Sequence, residues 1–155
     1  MNNRQPLFGF MVLNENPPNS YNLAILVTDQ NGHPLECRFT DKMVVDEIKQ
    51  ILYGQTLRSF LALTGERLLN ILDHKPSVVF VKEDTFLKLR EKIDCPIVCL
   101  NPKNDNSSNV SSFEVNESFS TDRESVSALL NLFSAEIPLD EPFQRLEQIL
   151  KVDRY

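Results

Sequence analysis

Between Leu7 and Leu100 the apolar residues change period from two to about 3.6 and back again, and few folds accommodate that rhythm. Leu7-Phe-Gly-Phe-Met-Val-Leu13 is apolar almost throughout, as a strand buried on both faces is. Asn14–Ser20, with two prolines, reads as a loop. A second strand follows over Leu23–Asp29, then the Asn31-Gly32 pair, a strong signal for a tight hairpin. Leu35–Thr40 alternates, with Leu35, Cys37 and Phe39 on one face and Glu36, Arg38 and Thr40 on the other. This makes it a half-buried strand antiparallel to the second.

Helical spacing takes over at Val44–Leu72, with Thr40 or Asp41 as its cap. Val44, Val45, Ile48, Ile51 and Leu52 form one apolar stripe, and Leu57, Phe60, Leu61, Leu68, Leu69 and Leu72 continue it beyond a break at Gly54. Ser77–Val81 is a short central strand, Asp84–Ile93 a helix capped by Asp84 or Thr85, and Pro96–Leu100 a last strand. The whole predicts an α/β domain in which a three-stranded antiparallel meander runs into parallel strands through helical crossovers. An open sheet of that kind places ligands at the carboxyl ends of its strands.

Composition divides the 155 residues into three parts. Residues 1–103 hold the α/β core. Residues 104–122, rich in Asn, Ser and acids, read as a flexible loop or linker. Residues 123–155 carry two amphipathic helices: one opens at the capping box Thr121-Asp-Arg-Glu124, the other is capped by Asp140, and they pack on the core or on a partner. A net charge of −6 argues against nucleic acid as a partner, although net charge says nothing about local patches. No apolar run is long enough for a membrane span, and the N-terminus lacks a signal-peptide core, so a cytoplasmic protein is expected.

Chemistry-bearing motifs are few. Phosphate loops, the dinucleotide fingerprint, His-Glu-x-x-His and the Gly-x-Ser-x-Gly elbow are all missing, and the chain has four glycines in all. Cys37, Cys95 and Cys99 read as reduced thiols buried in strands; extended chain between Cys95 and Cys99 separates them too far to share a zinc ion, and no metal site is assigned. His33 and His74 fall in turns and read as solvated. Arg58 and Arg67 around Tyr53-Gly54 invite comparison with a helix-turn-helix, but the continuous apolar stripe argues for packing on the sheet.

Carboxylates near strand ends are the catalytic candidates: Glu15, Asp29, Glu83 and Asp84. Brought together, they can hold Mg²⁺, a hard ion that takes oxygen ligands. Each also has a local role to play, Asp84 as a helix cap and Asp29 as a hairpin residue. Lys82, Asn101 and Lys103 are the candidate ligand-binding residues.

The element order resembles that of the ribonuclease H-like fold. Active members of that fold carry an Asp in the first strand, a Glu in the first helix and an Asp at the end of the fourth strand. Here the first strand has no carboxylate within Leu7–Leu13, and only Glu15 follows it; Glu47 or Glu66 stands for the helix, and Glu83 or Asp84 for the fourth strand. One position is thus empty, which speaks against two-metal catalysis. Separately, Val27-Thr-Asp-x-x-Gly-x-Pro-Leu-Glu-x-Arg-Phe-Thr40 with Ile51-Leu-Tyr-Gly54 resembles an uncharacterised bacterial protein family. That resemblance implies a single shared domain and no particular activity. The expectation is therefore a non-catalytic α/β module that binds another protein within a larger assembly, with no cofactor. The alternatives are a metal-dependent ribonuclease H-like nuclease or phosphoesterase, using Mg²⁺, and a small-molecule or nucleotide sensor.

Overall fold

The computed structural model describes residues 5–16, 19–100 and 113–152. Its seven strands are β1 (Phe8–Asn16), β2 (Ser20–Thr28), β3 (Pro34–Phe39), β4 (Met43–Val44), β5 (Val78–Val81), β6 (Ile97–Leu100) and β7 (Phe113–Glu114). They form one sheet in the order β3-β2-β1-β5-β6-β7, with β4 pairing to β2. β2 runs antiparallel to β1 and to β3, whereas β5 is parallel to β1 and β6 parallel to β5. This is the expected α/β architecture, a meander continuing into parallel strands in ribonuclease H-like order.

β1 outruns its apolar stretch. Its pairing with β2 continues through Glu15↔Tyr21 and Asn16↔Ser20, where a loop is predicted. Asn14, Asn16 and Asn22 explain the extension: the Asn14 and Asn16 amides both donate to Asn22 Oδ1, at 3.1 and 3.2 Å, and Asn14 also donates to Asn16. Three side-chain amides on one face replace the apolar cross-strand contacts that hold most sheets.

Each face of the sheet carries a core. Met11, Leu13, Leu23, Ile25, Val79, Val81 and Ile97 meet α2 (Leu57–Leu63), α3 (Gly65–Asn70) and the 3₁₀ helix Asp84–Glu91. Phe8, Phe10, Ala24, Leu26, Phe80 and Val98 meet α4 (Asp122–Leu130), α5 (Glu141–Lys151) and the residues between them. Phe10 stands edge-on to Phe143 at 5.5 Å between centroids. Gly65 lets α3 approach closely, because a Cβ there would lie 3.2 Å from Leu89 and 3.4 Å from the Met11 sulfur.

The predicted long helix is divided. Met43–Val44 joins the sheet as β4, and Asp46, not Thr40 or Asp41, caps α1 (Glu47–Tyr53) by accepting from Lys49 N–H at 2.8 Å. Thr40 instead prolongs the β3 edge, exchanging hydrogen bonds with the Leu23 backbone. That shift of start rotates the stripe away from the sheet: Ile48, Ile51 and Leu52 are 69–78% exposed, and of the predicted stripe in this part only Val45 is buried. At the hairpin, Gly32 takes φ 82° and its carbonyl accepts from Arg145 at 2.7 Å, tying the turn to α5. Residues 104–112 of the predicted linker lie outside the described residues. No helix among those described is long and apolar enough to cross a membrane.

Candidate active site

Parallel pairing sends the carboxyl ends of β1 and β5 to the same edge of the sheet. Glu15 lies near the end of β1, and Glu83 lies two residues past β5. Strand alternation puts both on the α2 face, since Glu15 shares parity with Met11 and Leu13, and Glu83 with Val79 and Val81. Arg58, in the first turn of α2, reaches over the strand ends between them. Its Nε and Nη2 donate to the two Glu83 oxygens at 2.8 and 2.7 Å, and Nη1 lies 3.5 Å from Glu15 Oε1. The bidentate fork matches the planar guanidinium. The Glu83 carboxylate raises the proton affinity of Arg58 above its ordinary value, burial opposes this, and Glu15 adds to it, so the cation is permanent.

The other candidates go elsewhere. Asp29 follows β2, which is antiparallel to β1, so it sits beside the start of β1 at the opposite edge. Seven residue steps from Phe8 to Glu15 cover about 23 Å. There Asp29 accepts the N–H groups of Asn31 and His33, each at 2.9 Å, as a turn residue. Burial raises its carboxyl, but these backbone donors and the His33 ring outweigh it, and the net shift is downward. Asp84 is exposed, opens the 3₁₀ helix directly after Glu83 and stays at the site's edge. Lys82 points to the other face, paired with Asp140 and 5.1 Å from the centroid of the Phe143 ring. It therefore does not share the Glu15–Glu83 site. Asn101 and Lys103 lie outside the described residues.

Magnesium does not fit the described residues. The interior of β1 offers no carboxylate, and Arg58 takes the coordinating oxygens of Glu83. Glu47 and Glu66 lie in the first turns of α1 and α3. Among the described residues, no group of three His, Cys, Asp or Glu side chains can hold a metal ion.

One further expectation changes in detail. Burial pushes the Cys95 and Cys99 thiols up to about 12 and 11, which keeps them protonated, but Cys37 is exposed and not buried. Both histidines are exposed between secondary-structure elements, as expected, and each lies by a carboxylate: His33 3.4 Å from Asp29, and His74 Nδ1 3.0 Å from Glu36. A cleft of about 850 Å³, lined in part by Leu7, Leu35, His74, Ser77 and Leu129, opens at the Asp29 edge, away from Arg58. Glu36, which does not line that cleft, is tied down by Arg38, by the His74 and Asp73 N–H groups and by the His74 ring, so its oxygens serve the fold.

Arg58 was visible in the sequence only as a basic residue on a helix. A cation one helical turn above two strand ends gives no local signal.

No protein-family model matches the chain, and no curated protein sequence matches it. Solved structures with a partial likeness include Ciona intestinalis Endonuclease V in complex with a 24mer DNA containing an inosine followed by a ribo-adenosine. Its TM-score is 0.43 at 10% identity, over 63% of this chain and 47% of that one. Marinitoga piezophila Argonaute in complex with guide RNA has a TM-score of 0.32 at 16% identity, over 61% of this chain and 15% of that one. This chain thus spans about half of the former and a small part of the latter. Two expectations, the non-catalytic protein-binding module and nucleic acid as an unlikely partner, run against these neighbours, which are an endonuclease and an Argonaute solved with nucleic acid. A net charge of −6 does not fix where charges sit.

Proposed function

We propose that this chain is a nucleic-acid-processing domain of the ribonuclease H-like kind, which receives a polynucleotide backbone at the carboxyl ends of β1 and β5. One observation carries the reading: Glu15 and Glu83, distant in sequence, converge with Arg58 on the edge where an open α/β sheet takes its ligand. A guanidinium there is suited to phosphate, which it can grip with two parallel hydrogen bonds. Single-stranded and duplex DNA and RNA, the polymers of the neighbours, are the ligand class to test.

The test is fluorescence anisotropy with labelled polymers of each type, followed by denaturing gels on the same samples. Binding of at least one polymer is expected, weakening as salt rises because bound phosphates release counterions. Shorter products on the gel report phosphodiester hydrolysis. Neither binding nor products with any polymer would remove the reading.

A further inference from the structure

We infer that Arg58 serves this crevice in place of a divalent cation, and that Glu83 and Glu15 act as a latch which a backbone phosphate must displace. This rests on the nucleic-acid reading above. A ribonuclease H-like site that used metal would need its carboxylates free to ligate. Here both Glu83 oxygens are already occupied by Arg58 at 2.7–2.8 Å, and the same guanidinium reaches toward Glu15. The positive charge that Arg58 sets between the two acids is covalently part of the protein.

Such an arrangement has a specific chemical consequence. Carboxylate and phosphate oxygens compete for the same fork of N–H donors. The Arg58 side chain is 40% exposed and Glu83 31%, so solvent and ligand can both reach the pair. Glu15, Glu83 and Asp84 together outweigh Arg58 in charge, so a polyanion binds only where direct contact with the freed guanidinium offsets that repulsion. Glu83 is a positioning residue in this scheme, and Arg58 is the phosphate ligand.

The experiment measures anisotropy of labelled single-stranded RNA and DNA with the full chain, in EDTA and in Mg²⁺, for wild type, Arg58→Ala, Arg58→Lys, Glu83→Gln and the Arg58→Ala, Glu83→Gln double variant. Circular dichroism melts of each variant establish that it is folded. Expected are equal wild-type binding in EDTA and Mg²⁺, roughly tenfold weaker binding for Arg58→Ala, and partial recovery in Arg58→Lys, which keeps the charge but loses the fork. Glu83→Gln should bind several-fold tighter than wild type. A merely structural ion pair predicts a lower melting midpoint for Glu83→Gln and a general charge-driven gain in binding that survives in the double variant, whereas the latch predicts that the gain is lost there. As a readout free of nucleic acid, the wild-type melting midpoint should not move with Mg²⁺ or Mn²⁺, since a bound ion would raise it. Intact binding in Arg58→Ala, weaker binding in Glu83→Gln, or wild-type binding that EDTA abolishes would each overturn the inference and leave the nucleic-acid reading standing. If wild type neither binds nor cuts any polymer, that reading falls, and this inference with it.

Discussion

Glu36 shows how a single side chain on an edge strand ties distant parts of the chain together. Burial raises its carboxyl, but hydrogen bonds from Arg38, from the His74 and Asp73 N–H groups and from the His74 ring outweigh it and hold the group at about 2, against an ordinary 4.5. The folded form therefore binds the proton less readily than the unfolded chain. Its stabilisation is complete above about pH 4.5 and is lost as pH falls toward 2. Melts of wild type and Glu36→Gln across that range should show a gap in midpoint that is widest near neutrality and narrows with acid. Thiol chemistry gives a second check. Cys95 and Cys99 should resist maleimide under native conditions and react in denaturant, because only the thiolate attacks and burial suppresses it.

α4 is held by a specific polar anchor as well as by its apolar stripe. Asp122 heads α4 without capping it; its carboxylate accepts Arg90 Nε–H at 2.7 Å, while Arg90 Nη1 donates to Ile93 O at 3.0 Å and the guanidinium stacks on Phe119. Both side chains are largely buried. Asp122→Ala should cost about 3–5 kcal/mol in urea unfolding, since it strands a buried cation. α1 is the contrasting case. With Ile51 and Leu52 exposed, Leu52→Glu should change stability by less than about 0.5 kcal/mol. A stripe packed on the sheet, as the spacing predicts, would make the same substitution severe.

Across the whole molecule, the two cores share one sheet, so each depends on the other. Phe143 is fully buried against Phe10, and Ser134 N–H reaches Gln30 O at 2.8 Å, so the last helices dock on this same chain. Phe143→Ala should cost about 3–5 kcal/mol. Truncation after residue 112 bares Phe8, Phe10 and Phe80 and should give a state that binds apolar dye and loses its near-ultraviolet dichroism.

Apolar periodicity was enough to specify the layers, the five longer strands and the parallel crossovers, because burial of alternating or helically spaced side chains is a local property of the string; the two-residue strands β4 and β7 are too short to show it and fall in the predicted helix and linker. Leu7–Leu13 holds no carboxylate, as the string shows, but β1 runs on to Asn16 and so takes in Glu15, which the apolar pattern leaves outside the strand. Distances between remote residues were not plain from the string. Asp29 and Glu83 look alike as acids after apolar strands, yet antiparallel pairing carries one to the far edge and parallel pairing brings the other beside Glu15. The meeting of Arg58 with both glutamates depends on where α2 crosses the sheet, and that follows from the packing of Leu57, Leu61 and Ala62 on the core and from no motif in the chain.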